Sequence, residues 1–315
     1  MNGWTAKDMP DQSGRVVVIT GANSGVGYES AIAFARQKAR VVMACRSADK
    51  AERARQDLLK IVPDATVEVM ALDLGSLKSV GTFAESFKAH NDRLDILMNN
   101  AGIMVPPYGK TEDGFETQFG TNHLGHFALT GLVLPKLLET PHSRVVTVSS
   151  SGYLLGRINF DDLESEKRYQ PMAAYCQSKL ANILFSQELQ RKLEAVRADT
   201  ISVASQPGYA RTNLQKPQTG IFYNTFYPLL KRFMSQSAEL GAMYQLYAAT
   251  VPGVHGGEFY EPKRVLFGEV ARVGLIARGK DVATAARLWQ VSEQLTGVHY
   301  EILGKPEMAY APLHA

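Results

Sequence analysis

The sequence predicts an α/β protein in which a doubly wound parallel sheet carries helices on both faces. Short runs rich in valine and isoleucine alternate with helix-length amphipathic segments along the 315-residue chain. The runs show little polar alternation, which is typical of strands buried on both faces. A repeated strand–helix–strand order requires right-handed crossovers between parallel strands. No internal repeat and no Pro/Gly/Ser-rich linker divides the chain, so we predict a single domain over residues 1–315.

The predicted strands, in order, are Val16–Ile19, Val41–Ala44, Val67–Ala71, Asp95–Met98, Val145–Val148 and Ile201–Ala204. The predicted helices are Val26–Gln37, Ala48–Lys60, Leu77–Ala89, Phe115–Leu138, Ala173–Leu193, Ser237–Ala249 and Val282–Leu295. Two stretches break the alternation: a polar one over Ser151–Pro171 and an aromatic-rich one over Gln215–Phe233. Loops longer than about 12–15 residues are usually functional. We expect the segment near 214–233 to be a lid over an apolar substrate pocket, with a core helix as the alternative.

Composition excludes several classes of protein. The net charge of +3 is spread along the chain, so no nucleic-acid partner is predicted. No uninterrupted apolar stretch reaches 18 residues, so we expect no transmembrane segment. The two cysteines, Cys45 and Cys176, lack metal-ligand spacing and indicate a reducing compartment. Because the first 14 residues are also polar, we expect a soluble cytoplasmic protein.

A glycine-rich loop follows the first predicted strand and precedes the first predicted helix. Residues 20–27 read TGANSGVG. Glycines allow a tight turn and a close backbone approach to a pyrophosphate, and the helix N-terminus offers unpaired N–H groups. This context predicts a dinucleotide site of the Rossmann kind.

The end of the second predicted strand bears on the choice of cofactor. NAD-binding units place an Asp or Glu there, about 20 residues after the glycine loop, to bind the adenosine ribose. This chain has Cys45 at roughly that position, followed by Arg46. No carboxylate would repel a 2′-phosphate, and a guanidinium suits phosphate. We therefore predict NADP(H).

A tyrosine and a lysine lie four residues apart near the start of a long predicted helix. Tyr175 and Lys179 should share one helical face. An ammonium beside a phenol lowers the phenol pKa from about 10, which allows proton exchange with an alcohol near neutral pH. This Tyr–Lys pattern is common by chance, but the polar residues at the ends of two predicted strands make it more informative here. Strand five ends at Ser149-Ser150-Ser151 and strand four at Asn99-Asn100-Ala101-Gly102. Ligands of doubly wound sheets bind beyond the carboxyl ends of strands.

These motifs together resemble the classical short-chain dehydrogenase/reductase family. The matching features, in family order, are TGANSGVG at 20–27, Asp73-Leu74, NNAG at 99–102, Asn122, the serine after strand five, YCQSK at 175–179, and Pro207-Gly208 followed by Thr212. The match covers roughly residues 14 to 300. The fold that it implies is the Rossmann fold.

The resemblance implies a role for each matched residue. The implied catalytic residues are Asn122, Ser150, Tyr175 and Lys179, with Ser149 and Ser151 as alternatives for the serine. We expect the Asn122 amide to bind a water that extends a proton path from Lys179. The implied cofactor-binding residues are Gly21, Asn23, Ser24, Gly25, Val26, Gly27, Arg46, Asp73, Leu74, Asn99, Ala101, Gly102, Tyr175, Lys179, Pro207, Gly208 and Thr212. Among them, Asp73 and Leu74 should flank adenine, Asn99 the riboses, and Thr212 the nicotinamide carboxamide.

Within the family, the chain is similar to the retinol-dehydrogenase-like branch. The similarity lies in ACRS at 44–47, YCQSKLANILFSQEL at 175–189, GGEFY and LWQVSEQLTGV. Tyr175 follows Ser150 by 25 residues, a gap longer than the family's commoner spacing. The resemblance implies hydride transfer between NADP(H) and a small molecule that is a carbonyl or an alcohol, and the aromatic-rich segment near 214–233 leads us to expect an apolar one. The alternatives are reduction of a ring C=C bond, as in light-dependent protochlorophyllide reductases, and a non-catalytic NADP-binding redox sensor.

Two further features have competing interpretations. His123 and His126 are spaced like metal ligands but lack a third ligand nearby in sequence, so packing or a helix hydrogen bond is favoured and no metal is predicted. Apolar stripes predict either core packing or a homodimer interface; they comprise Phe127, Leu129, Leu132–Leu134, Leu180, Ile183, Leu184 and Phe185.

Overall fold

The structure, a computed structural model, describes residues 3–208 and 237–304. Its strands are β1 (Val16–Thr20), β2 (Arg40–Cys45), β3 (Val67–Ala71), β4 (Ile96–Asn99), β5 (Arg144–Val148), β6 (Ile201–Ser205), β7 (Phe259–Pro262) and β8 (Val270–Arg272). Its longer helices are α1 (Gly25–Arg36), α2 (Ala48–Ile61), α3 (Leu77–His90), α4 (Gly125–Glu139), α5 (Pro171–Ala195), α6 (Ala238–Thr250) and α7 (Val282–Thr296). Every predicted strand and helix within the described residues has a counterpart, one of the helices in interrupted form, so the predicted α/β fold is confirmed.

All eight strands form one sheet in the order β3-β2-β1-β4-β5-β6-β7-β8. The neighbours from β3 to β7 pair in parallel, and β8 pairs antiparallel with β7. Strand order reverses between β1 and β4, because the chain returns from the β3 edge to the other side of β1. In open α/β sheets, this switch point creates a crevice at the carboxyl ends of the strands, where ligands bind.

Burial along the strands follows their place in the sheet. All five residues of β1 and all four of β4 are buried, as expected for central strands covered on both faces. Strand β3 is the exception, because four of its five residues are only half-buried and Ala71 is exposed. The expectation that it is buried on both faces was wrong, since β3 lies at an open edge of the sheet.

The predicted helix over Phe115–Leu138 is interrupted. A short helical turn, Thr117–Phe119, is followed by a π-helical turn, Gly120–Leu124, and only then by α4. Glu116 begins this segment, and its carboxylate accepts the N–H groups of Gln118 and Phe119 at 2.9 and 2.7 Å. Wide turns of this type are frequent at functional sites, and this one carries Asn122.

The apolar stripes on α4 and α5 lie inside the chain's own core. Helix α7 covers them, and its Trp289 stacks on Phe185 with ring centres 5.8 Å apart. Trp289 also meets the edge of Phe127 at 5.1 Å. The core-packing interpretation is therefore the one that the structure supports for these residues. Within the two described ranges, no helix is both long enough and apolar enough to cross a bilayer.

Candidate active site

A cleft of about 440 Å³ opens at the carboxyl ends of the central strands. The glycine loop, the ends of β4, β5 and β6, and the start of α5 form its walls. The residues that line it are Gly21, Asn23, Ser24, Gly25, Val26, Gly27, Asn100, Ala101, Gly102, Ile103, Met104, Val148, Ser149, Ser150, Ser151, Gly152, Met172, Tyr175, Lys179, Pro207 and Gly208. The cleft thus unites most of the predicted cofactor residues with the predicted tyrosine, lysine and serine.

The glycine loop has the shape that a pyrophosphate requires. Gly21 and Gly25 adopt φ angles of 67° and 58°, in the left-handed region that favours glycine. A Cβ atom at Gly27 would lie 2.5 Å from Asn100 Nδ2 and 2.8 Å from the Gly21 carbonyl oxygen. Ser24, the N-cap of α1, makes no side-chain hydrogen bond to the helix. Helix N–H groups therefore stay available to an anion in the cleft, and the loop fits a dinucleotide.

The end of β2 presents a cation beside a buried thiol. Arg46 is exposed and makes no hydrogen bond or ion pair with the described residues. Cys45 is buried, and this burial raises the pKa of its thiol to about 11, although the N–H groups of Asn23 and Ala22 oppose the shift. The structure therefore places a free guanidinium, and no carboxylate, directly after β2.

Asp73 and Leu74 lie outside the lining of the cleft. The Asp73 carboxylate accepts the Gly75 N–H at 2.9 Å, and the backbone N–H of Asp73 donates to Ser79 Oγ at 2.9 Å. Leu74 is buried in the core beneath α3 and α4. In this structure both residues hold the turn between β3 and α3.

The side chain of Asn99 points away from the cleft, so the predicted ribose contact, which stays a prediction, would have to come from the Asn99 backbone. It is fully buried, and its amide donates to Thr130 Oγ1 at 2.9 Å. Asn100, which the motif-based assignment missed, lines the cleft instead, and its amide donates to the Thr20 carbonyl at 2.7 Å. Successive residues of a strand point to opposite faces, so only one of two adjacent asparagines can reach the cleft.

Tyr175 and Lys179 lie one turn apart on α5, as predicted. The Lys179 ammonium is 5.9 Å from the centre of the Tyr175 ring and donates to the Val148 carbonyl at 3.2 Å. Burial raises the pKa of Tyr175 to about 12, although its interaction with the Ser150 hydroxyl opposes this shift. The expected lowering of the phenol pKa is therefore wrong for this structure, because desolvation is the larger effect. Burial also lowers the pKa of Lys179 to about 8.

The three serines after β5 differ in what they contact. The buried Ser149 hydroxyl donates to the Lys179 carbonyl at 2.8 Å. Ser150 faces the Tyr175 phenol, and its Oγ accepts the Gly152 N–H at 3.2 Å. Ser151 begins a 3₁₀ turn, Ser151–Leu154. The geometry therefore favours Ser150 over its neighbours as the serine that works with Tyr175.

Asn122 lies next to the cleft, and its amide is already engaged. Nδ2 donates to the Ile103 carbonyl and to Ser178 Oγ, both at 3.0 Å, and Oδ1 accepts the Ile103 N–H at 2.8 Å. A Cβ atom at Gly102 would lie 3.3 Å from both Asn122 Oδ1 and Lys179 Nζ. Both amide hydrogens are thus committed to the protein, so any water held by this side chain must bind its oxygen.

Pro207 and Gly208, after β6, line the cleft as predicted. Gly208 has a φ angle of 66°, and its N–H donates to Gln206 Oε1 at 2.9 Å. Thr212 and the segment near 214–233 lie outside the described residues.

Besides Val148 at the end of β5, three apolar residues of the cleft were not predicted: Ile103, Met104 and Met172. Ile103 and Met104 directly follow the NNAG motif, which is the one local signal that could have indicated them. Met172 is in the first turn of α5 and is 46% exposed. Ile103, Met104 and Met172 add apolar surface to the lining of the cleft, and we refer to these three residues as the apolar wall.

A sheet with this strand order and a glycine loop at its switch point defines a dinucleotide-binding α/β protein. Residues 15–220 match the model of the short-chain dehydrogenase family, and the chain belongs to that family. It is an oxidoreductase of the retinol-dehydrogenase-like branch.

Curated relatives and solved structures agree with this assignment. The chain is 42% identical to human retinol dehydrogenase 12 over 292 residues, covering 91% of this chain and 88% of that protein. It is also 42% identical to mouse retinol dehydrogenase 14, covering 90% and 86% of the two chains. A crystal structure of an uncharacterised protein from Mycobacterium paratuberculosis is 44% identical, covers 95% and 99% of the two chains, and superposes with a TM-score of 0.80. A Shigella flexneri structure described as a short-chain dehydrogenase complexed with NADP is 20% identical, covers 80% and 98% of the two chains, and has a TM-score of 0.62. At 20% identity, the similarity to the Shigella flexneri structure is evidence for a shared fold only.

Proposed function

We propose that this chain is an NADP(H)-dependent oxidoreductase that interconverts an apolar aldehyde or ketone and the corresponding alcohol. One observation carries the proposal: a single cleft is lined by the glycine loop, by Ser150, Tyr175 and Lys179, and by an apolar wall. The free Arg46 after β2 supports the choice of NADP(H), since a guanidinium binds phosphate well.

The bound nicotinamide would supply the hydride that reduces the carbonyl carbon. The chain's own residues would bind the substrate oxygen and supply its proton. With a pKa of about 12, the Tyr175 phenol is protonated at neutral pH and is ready to act as the general acid in reduction. With a pKa of about 8, Lys179 is mostly positive at neutral pH and would stabilise the phenolate left behind.

Ser150 would hold the substrate oxygen beside Tyr175. Its Oγ accepts the Gly152 N–H, and its hydroxyl faces the Tyr175 phenol, so it would donate to a substrate oxygen held between the two side chains. The same stretch of backbone lies close to the phenol ring, because a Cβ atom at Gly152 would lie 3.2 Å from Tyr175 Cε1. A side chain larger than that of glycine at this position would therefore crowd the ring that would donate the proton.

The lining of the cleft supports an apolar substrate. Ile103, Met104 and Met172 offer hydrophobic surface, and methionine side chains adapt to irregular shapes. Each buried CH₂ group contributes about 0.8 kcal/mol to binding, so kcat/KM should rise along a series of straight-chain aldehydes. A homodimer and a cytoplasmic location stay predictions from the sequence.

The test is NADPH oxidation by the purified protein with aldehydes from butanal to dodecanal and with matched ketones. We expect turnover that increases with chain length. Tyr175→Phe should reduce kcat by about 10²–10⁴-fold, because it removes the general acid. It should leave NADPH affinity and the unfolding temperature unchanged, because the ring stays in place.

Three outcomes would contradict the proposal. NADPH binding without turnover of any carbonyl would favour the redox-sensor alternative. Turnover of a conjugated ring C=C substrate alone would favour the protochlorophyllide-reductase-like alternative. A Phe variant that keeps more than about a tenth of the wild-type kcat would show that another residue is the acid.

A further inference from the structure

His126 lies behind the cleft, between Thr20 and the π-helical turn. The ring is 1% exposed and does not line the cleft. Its Nε2 is 2.9 Å from Thr20 Oγ1, at the start of the glycine loop. Its Nδ1 is 3.0 Å from the backbone carbonyl oxygen of Asn122, on the π-helical turn.

The direction of each hydrogen bond follows from the chemistry of the partners. A carbonyl oxygen only accepts, so the ring must carry a proton on Nδ1. Burial lowers the pKa of His126 to about 4, so at neutral pH the ring has only that one proton. Nε2 is therefore an acceptor, and at 2.9 Å it is closer to the Thr20 hydroxyl than the other available acceptor, the Met98 carbonyl at 3.3 Å. Tautomers are inferred in this way from the hydrogen-bond network.

Thr20 extends the connection to the end of β4. While its hydroxyl donates to His126, its Oγ1 accepts the N–H groups of Asn100 and Ala101, both at 2.9 Å. Both of these residues line the cleft. The hydroxyl thus holds the glycine loop and the end of β4 together, and the imidazole is the nearer of the two acceptors that can orient it.

Asn122 extends the connection in the opposite direction. Three hydrogen bonds join its side chain to the Ile103 backbone and to Ser178, which lies next to Lys179. A continuous set of hydrogen bonds therefore runs from the glycine loop through Thr20, His126 and Asn122 to the apolar wall. The first two members are 106 residues apart in sequence.

We propose that His126 is a positioning residue, whose Nε2 orders the cofactor side of the cleft through Thr20 and whose Nδ1 orders the proton-transfer side through Asn122. The catalytic half of this inference, the role of Nδ1, rests on the proposed function. The cofactor half, the role of Nε2, concerns NADPH binding alone and is testable without turnover.

The chain provides a matched control one turn earlier. His123 is equally buried, and burial lowers its pKa as well. Its Nε2 pairs with Ser292 Oγ at 2.9 Å, on α7 and away from the cleft. Substitutions at His123 therefore disturb core packing and the bond to Ser292, and they remove no hydrogen bond made by Thr20 or by the Asn122 side chain.

Two variants distinguish the role of Nδ1 from the role of Nε2. In His126→Asn the amide nitrogen takes the place of Nδ1 and keeps the bond to Asn122 but cannot reach Thr20. In His126→Gln the longer amide reaches Thr20 and loses the bond to Asn122. Because one hydrogen bond corresponds to about a tenfold effect, we expect His126→Asn to weaken NADPH binding about 10-fold and to retain kcat. We expect His126→Gln to lower kcat about 10-fold and to retain NADPH affinity.

The readouts are NADPH affinity by fluorescence titration, kcat with the best aldehyde, and the ¹⁵N chemical shifts of the ring in the free wild-type protein. The shifts should show a neutral ring protonated on Nδ1. His123→Asn and His123→Gln should lower the unfolding temperature by a similar amount and leave affinity and kcat within about twofold of wild type.

Equal effects of the two His126 variants on affinity and kcat, or the same losses in the His123 controls, would overturn the inference. A ring protonated on Nε2 would do so as well. If the His126 variants do not fold, Thr20→Val should weaken NADPH binding and Thr20→Ser should restore it; no difference between that pair overturns the cofactor half. Absence of turnover in wild type would contradict the proposed function, and the affinity measurements would still decide the connection to the glycine loop.

Discussion

Acidification should destabilise this protein through a histidine that folding buries in neutral form. The His123 ring is 1% exposed, packs beside Phe119 with ring centres 5.2 Å apart, and has a pKa lowered to about 3 by burial. In the unfolded chain the same ring should have a pKa of about 6.5. Below pH 6.5 the unfolded state therefore binds the proton and the folded state does not. The stability associated with the neutral ring is complete above about pH 7 and is lost as the pH falls from 6.5 towards 3.

The expected loss follows from the difference between pH and the unfolded pKa. One pH unit corresponds to about 1.4 kcal/mol for one proton, so at pH 5 the His123 ring should cost about 2 kcal/mol of the free energy of unfolding. His126 should add a similar loss, because burial also lowers its pKa, to about 4. A measurement on wild type alone would combine the two.

The assay compares two variants that differ only in the titratable ring. Ser292→Ala removes the hydrogen bond to His123 Nε2 and keeps the imidazole. His123→Phe combined with Ser292→Ala removes both. Urea unfolding at pH 8 and at pH 5 should show that the single variant loses about 2 kcal/mol more than the double variant over this interval. Equal losses in the two variants would refute the reasoning, because His123 would then not be neutral in the folded state.

Three further predictions concern the cofactor, the proton donor and the scaffold. Arg46→Ala should weaken NADPH binding about 10- to 100-fold and NADH binding little, and equal losses in titrations with the two cofactors would contradict the assignment of Arg46. The kcat/KM for carbonyl reduction should fall as the pH rises through about 8, because Lys179 loses its charge there while Tyr175 stays protonated; Lys179→Arg should keep the pH profile flat to above pH 9. Gly81→Ala should raise the free energy of unfolding by about 0.5–1 kcal/mol, because Gly81 lies inside α3 and a Cβ atom there meets nothing within 4 Å. Gly125→Ala is its control in the same urea titration and should destabilise, because its Cβ atom would overlap the Leu74 carbonyl oxygen.

The central part of the fold was predictable because its signals are local. Strand β2, predicted over Val41–Ala44, forms over Arg40–Cys45, and α3 ends within one residue of its predicted limit. Long apolar runs and amphipathic periods specify such elements whatever they later pack against. Strands β7 and β8 were missed, because they have four and three residues and include Pro262 and Arg272. Such short segments become strands only by pairing with an existing sheet edge.

In the candidate site, too, some features were predictable from local sequence and others were not. The glycine loop and the Tyr175–Lys179 pair were predictable, because a tight turn and one helical face place these groups through neighbouring residues. Which of two adjacent asparagines faces the cleft depends on the pleat of β4, and composition does not reveal it.

Protonation and hydrogen bonding at the site depend on residues that are distant along the chain. Burial by several elements raises the pKa of Tyr175, where the local Lys179 alone would lower it. Thr20 and His126 meet only after β1 and α4 have packed together. Local sequence was enough for the strands, the helices and the glycine loop, because these follow from residues within a few positions of one another. Tertiary structure decided the direction, protonation and partners of the side chains, because desolvation and long-range contacts arise only when the chain has folded.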